Sequence, residues 1–182
     1  MKIRLRAVIA LAPLLLLFLA PGCIVVRTTE HLIKLNKDGS GEAVLRLVDL
    51  RSDGATDSAV VHDYGVLMGS LEKNGYRDFE QSGRKVTDAR FYVHGDTLGV
   101  EIRYTFSSLA AVEGLRVTPD ELYMTVADTR EVVKTNGAVS TELKDMHRIA
   151  WPRDARRLMY VISEKQMPPS TSLASLYLKF GR

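Results

Sequence analysis

Four histidines, one cysteine, scattered serines and one arginine-rich segment are the residues from which this chain could build chemistry. His31, His62, His94 and His147 never fall in a His-x-His or His-Glu-x-x-His pattern, the spacings that set two imidazoles on one metal ion. No metal and no other cofactor is expected. A serine nucleophile needs a base and an orienting acid, and no Gly-x-Ser-x-Gly elbow is present to present one. Asp120 and Glu121 are adjacent, so on a strand they point to opposite faces and make a poor acid–base pair. Asn36, Asp38, Ser40 and Gly41 match positions one, three, five and six of a calcium loop. Position nine is Val44 and position twelve is Leu47, where a bidentate glutamate belongs. A hairpin turn is the better reading. No catalytic constellation emerges, and the chain is not read as an enzyme.

The segment from Arg148 to Arg157 gathers Arg148, Arg153, Arg156 and Arg157 around Trp151, the single tryptophan. Tryptophan suits interfaces and arginine suits phosphate, so these residues are a candidate patch for lipid headgroups, a glycan or an anionic polymer. The competing reading makes Trp151-Pro152 the end of a strand, Trp151 a core plug and the arginines a solvated turn.

Cys23 stands at the end of a leader with a basic start (Lys2, Arg4, Arg6), an apolar run from Ala7 to Ala20, and Gly22 before the cysteine. These are the parts of a secretory signal. The segment Leu19-Ala20-Pro21-Gly22-Cys23 resembles a bacterial lipoprotein signal, with Pro21 the one departure from its pattern. The resemblance implies cleavage after Gly22 and attachment of a diacylglycerol to the Cys23 thiol. Ile24 in the next position implies the outer membrane, on its periplasmic face, if the host has two membranes. The alternatives are an ordinary cleaved signal and an uncleaved anchor. A membrane-spanning helix needs about 20 apolar residues, a length reached only by crossing Pro21-Gly22. Through its early Asp38-Gly39-Ser40-Gly41 the remainder is also similar to uncharacterised bacterial lipoproteins, LppM-type domains among them; no function or site is carried over.

Removing residues 1–22 leaves a single domain, residues 23–182. Three of the 25 Lys and Arg residues sit in the leader, so the mature part carries 22 of them against 22 Asp and Glu. That balance gives no electrostatic reason to expect nucleic acid as a partner. With Cys23 lipidated no thiol is left for a disulfide, so the fold must stand on its core, which a domain of this size can supply. The expected partners are the membrane, through the N-terminal lipid, and an envelope protein or the cell wall.

The elements that must position these residues begin almost at Cys23. Residues 25–36 and 41–51 read as strands joined by a tight Asp38-Gly39 turn with both residues at positive φ. Val60, Val61, Tyr64, Leu67, Met68 and Leu71 recur at helical spacing and predict an amphipathic helix over 57–74, capped by Asp57 or Ser58 and stopped at Asn74-Gly75. Strands follow at 76–81, 85–94 and 97–106, with turns at Ser82-Gly83 and Gly95-Asp96. In the last of these, Val100, Ile102, Tyr104 and Phe106 alternate with Glu101, Arg103 and Thr105, which predicts one buried and one wet face. Residues 107–113 suggest a helical turn. Leu122–Ala127 and Arg130–Thr135 are expected to pair across Asp128-Thr129. Ala138–Leu143 and Leu158–Ser163 are further strands, and Ser172–Phe180 fits helix or strand, with a lean to helix. The sum is an α+β fold, a mainly antiparallel sheet with one main amphipathic helix packed on a face. Three functions fit it: an envelope binding or structural module, a carrier of an apolar, lipid-like ligand between sheet and helix, and an enzyme with a dispersed site.

Overall fold

The structure is a computed structural model and describes residues 23–70, 77–80, 83–143 and 146–181. Mainly antiparallel strands make up two sheets, and short helices accompany them. Strands β1 (Ile24–Leu35), β2 (Gly41–Ser52), β3 (Arg84–His94), β4 (Thr97–Phe106), β7 (Arg130–Thr135) and β10 (Arg157–Glu164) form the large sheet in the order β3-β4-β2-β1-β10-β7. A two-residue strand, β11 (Thr171–Ser172), adds to β2. The small sheet runs β5 (Arg116–Val117), β6 (Glu121–Ala127), β9 (Met146–Pro152) and β8 (Ala138–Leu143).

The β1–β2 hairpin is the spine, paired without a slip from Ile24↔Ser52 to Leu35↔Gly41. Its loop is wider than the tight turn expected. Asn36 N–H bonds Ser40 O at 2.8 Å, and only Gly39 takes a positive φ, +86°. The Asp38 carboxylate instead accepts the Ser40 N–H at 3.0 Å and its hydroxyl at 2.7 Å, closing the loop by a side chain. The β3–β4 turn at Gly95-Asp96 is the two-residue kind, with Gly95 at φ +61°.

Two buried clusters hold the molecule together. Ile33, Phe106, Leu158 and Ile162 of the large sheet meet Leu122, Met124, Ile149 and Trp151 of the small one. Leu50, Leu98 and Val100 share the second cluster with Val60 and Tyr64 of α1 (Asp57–Ser70) and with Leu173 and Ala174 at the start of α3 (Ala174–Phe180). Burying such side chains stabilises by about 25 cal/mol per Å² of apolar surface.

Several expectations are corrected. Helix α1 starts under Thr56, whose Oγ1 accepts the Ala59 N–H at 3.3 Å, and not under Asp57 or Ser58. Its apolar face is incomplete: Val61 is 53% exposed, while Asp63 is buried and accepts the Ser52 hydroxyl at 2.5 Å. The expected last turn, Leu71 and the Asn74-Gly75 stop lie outside the described residues. Residues 77–80 are a helical turn, α2 (Arg77–Glu80), where a strand is expected over 76–81. Arg84 Nε donates to the Phe79 carbonyl at 2.9 Å, and the Phe79 ring stands edge-on to Tyr104 at 5.1 Å, contacts that fold the segment back on itself.

Strands β6 and β7 do not pair. β6 pairs β9 in the small sheet and β7 pairs β10 in the large one. Asp128-Thr129 holds no glycine, neither residue takes positive φ, and the two-residue hairpin turn needs one that does. The link therefore passes the chain from one sheet to the other. Asn136-Gly137 passes it back in the same way, from β7 to β8. The helical turn expected within 107–113 is a 3-10 turn at Leu109–Ala111, and the ambiguous C-terminal segment is helical over Ala174–Phe180.

Candidate binding surface

Leu98, Val100, Tyr104 and Phe106 of β4 belong to the buried clusters, so the pleat turns Glu101, Arg103 and Thr105 to the other face of the large sheet. There the register lays residues in rows. One row runs Arg103, Val44, Leu32, Met159 across β4, β2, β1 and β10. The next runs Arg90, Glu101, Arg46, Glu30, Val161, Lys134 from β3 to β7. Between them lies a groove of about 740 Å³. Its middle is aliphatic, from Leu32, Val44, Met159 and Val161, and Lys34, Glu42, Arg46 and Arg103 line it as well. Leu32 is 42% exposed, which is unusual for a leucine in the middle of a six-strand sheet.

Glu101 organises the charged end. Its side chain is only 4% exposed and accepts from three arginines: Arg46 Nε at 2.7 Å, Arg90 at 3.1 Å, and Arg103 through Nε at 3.0 Å and a terminal nitrogen at 2.8 Å. Burial alone would raise its carboxyl, but hydrogen bonds from Arg46 and Arg103 hold it below the ordinary value. Arg46 also reaches Glu30 at 3.5 Å, and Lys34 pairs with Glu42 at 2.7 Å. The wet face expected of β4 is therefore not uniformly wet: Glu101 is buried because three guanidinium groups roof it. Charge-assisted bonds of this kind fix the arginines in place. The surface can hold an extended apolar chain along Val44, Leu32 and Met159, with ordered charges on both sides.

On the opposite face of the same strands, His31 is buried between two tyrosines. Its Nδ1 lies 2.8 Å from the Tyr160 hydroxyl and its Nε2 2.8 Å from the Tyr104 hydroxyl. Burial, with the field of Arg84 adding to it, lowers the His31 pKa to about 4. Burial raises Tyr104 to about 12 and Tyr160 further in the same direction. At neutral pH the imidazole is neutral, one nitrogen donating and the other accepting. The trio ties β1, β4 and β10 together as a satisfied polar strut.

The residues singled out in the sequence fall as follows. Cys23 is exposed; its N–H donates to Asp53 at 2.5 Å and its carbonyl accepts the Asp53 N–H at 3.2 Å. Gly22 lies outside the described residues. Trp151 is 2% exposed, with its indole N–H donated to Asn136 Oδ1 at 2.8 Å. Arg148 is paired with Glu121 and stacked on the Tyr123 ring at 4.0 Å. Arg153 and Arg156 on the β9–β10 connection and Arg157 at the start of β10 are exposed. The structure thus keeps three arginines of the candidate patch together at the surface and places Trp151 in the core. Ser40 is held by Asp38 and Asn36. His62 and His94 are exposed, and His147 lies 3.2 Å from Asp128. No group of three or more metal-binding side chains occurs among the described residues.

Sequence reasoning missed the Glu101 cluster, the Leu32 strip and the His31 trio. Alternation along β4 was the available signal, but which strands are neighbours is not written in it. No protein-family model, curated protein or solved structure matches the chain.

Proposed function

We propose that this chain is a bacterial envelope lipoprotein, cleaved after Gly22 and lipidated on Cys23, whose folded body is a binding module and not an enzyme. In this reading its binding surface is the open face of the large sheet, and α1 packs on the other face. The observation that carries the binding role is the row Arg103, Val44, Leu32, Met159, an aliphatic strip left at the surface of a sheet whose other side is a packed core. Exposed apolar strips of this kind mark contact surfaces. The anchoring role is supported by the leader, by the exposure of Cys23 and by the start of β1 at Ile24. With two or more acyl chains the anchor is stable, each buried methylene contributing about 0.8 kcal/mol. The outer membrane is the proposed site in a two-membrane host.

A second reading, carriage of an apolar ligand, is favoured by the same strip; the ligand would then lie on the sheet and not between sheet and helix. Photocrosslinking in the living host tests both. A photoreactive residue is placed at Leu32, and a control at Val117, which is comparably exposed on the small sheet. Adducts at 32 and not at 117 are expected. A protein or wall fragment supports the module, and a lipid-sized adduct supports the carrier. Equal labelling at both positions overturns the assignment of the surface.

A further inference from the structure

The far end of the β1–β2 hairpin from Cys23 carries a concentration of cations that overall neutrality conceals. The hairpin loop and the β9–β10 connection lie side by side there: Leu35 N–H bonds Arg156 O at 2.9 Å, and Arg156 reaches the Asn36 carbonyl at 3.2 Å. Lys34 stands opposite Arg157 in the β1–β10 register. The two loops and the first residue of β10 present Lys37, Arg153, Arg156 and Arg157, all exposed, against Asp38 and Asp154. Asp38 is held by Ser40 and keeps its negative charge, leaving four cations against two carboxylates. None of the four cations pairs with a carboxylate among the described residues. Lys34 adds no net charge, being matched by Glu42.

We infer that this tip docks a polyanionic polymer of the envelope, a chain bearing repeated phosphate or carboxylate groups. Guanidinium groups suit such oxyanions, and a group of four cations without carboxylate partners suits a repeating charge more than a single one. A protein partner fits less well, because protein interfaces centre on buried apolar or aromatic anchors and the local aromatic, Trp151, is turned inward. The protein's own bilayer also fits less well. The 12 residues of β1 separate the tip from Cys23 by about 40 Å at about 3.3 Å per residue, several times the Debye length of about 8 Å. The location of the polymer rests on the lipoprotein reading above; the charge argument does not.

The test uses the full chain in nanodiscs of zwitterionic lipid, titrated with long-chain polyphosphate, with polygalacturonate, with neutral dextran and with anionic vesicles. Binding to both polyanions and not to dextran is expected, weakening steeply with salt. Joint replacement K37Q/R153Q/R156Q/R157Q is expected to weaken binding at least ~10-fold and to flatten the salt dependence. The charge-preserving set K37R/R153K/R156K/R157K is expected to retain it, which separates charge from folding. The inference is overturned by absence of binding at low salt, by unchanged affinity in the Gln set, by loss in both sets alike, or by binding only to anionic vesicles. Each of these outcomes is read whether or not Cys23 is acylated.

Discussion

Acid should destabilise this fold through His31, and the size of the effect follows from its surroundings. The imidazole is buried between Tyr104 and Tyr160 with a pKa of about 4, against an ordinary 6.5. As pH falls, the unfolded chain takes up the proton first, near 6.5, while the folded state refuses it until about 4. The stabilisation is therefore complete above 6.5 and is lost as pH falls through 4. The difference of about 2.5 pH units corresponds to roughly 3 kcal/mol in full, of which about 2 kcal/mol is lost between pH 7 and pH 5. Carboxylates with lowered pKa, such as Glu101 and Asp128, add acid sensitivity, but mainly below pH 5. Urea titrations of the wild type and of His31→Gln isolate the histidine, because an amide offers a donor and an acceptor but does not titrate. Wild-type stability should fall by about 2 kcal/mol from pH 7 to pH 5, and the variant should stay nearly flat. Parallel curves for the two proteins would refute a buried neutral imidazole.

Asn136→Ala should cost about 2–4 kcal/mol, read as a lower Tm, because Asn136 Oδ1 accepts both the Trp151 indole N–H and the Met159 N–H, each at 2.8 Å. Gly41→Ala should cost about 1–3 kcal/mol or more in urea unfolding, since a Cβ there would sit 2.1 Å from the Lys34 carbonyl oxygen and 2.5 Å from the Phe106 ring. Glu101→Gln should cost about 1.5–3 kcal/mol by the same measurement, because it removes charge-assisted bonds to Arg46, Arg90 and Arg103. Above pH 10 stability should fall as the tyrosines of the unfolded chain ionise, while Tyr104 resists until about 12; thermal melts between pH 9 and pH 11 check the sign.

Local signals in the sequence located most elements. Period-two alternation marks β4, a short apolar run marks β10, an Asp-Gly turn signal marks the β1–β2 hairpin, and glycine at a required positive φ marks the Gly95-Asp96 turn. Strand neighbours were not legible, because pairing depends on turn geometry at two links, Asp128-Thr129 and Asn136-Gly137, where each time the chain changes sheets instead of folding back. The Glu101 cluster was hidden for the same reason. Arg46, Arg90, Glu101 and Arg103 come from three strands; the β3-β4-β2 order sets Arg90 and Arg46 beside Glu101 in one row, and Arg103 reaches it from the next row on the same face. Trp151 illustrates a site where the sequence offered both answers. The reading in which Trp151 is a core plug holds, with its indole at the joint between sheets, while Arg153 and Arg156 of the connection and Arg157 at the start of β10 face outward.

The central claim is anchoring of this binding module through Cys23, and intact mass tests it most directly. The protein is purified from membranes of its own host beside a Cys23→Ala variant. A mass equal to residues 23–182 plus acyl chains, lost in the variant, is the predicted result. An unmodified full-length mass would contradict it and make residues 7–26 an anchor; a cleaved mass without lipid would contradict it and make the domain a free secreted protein.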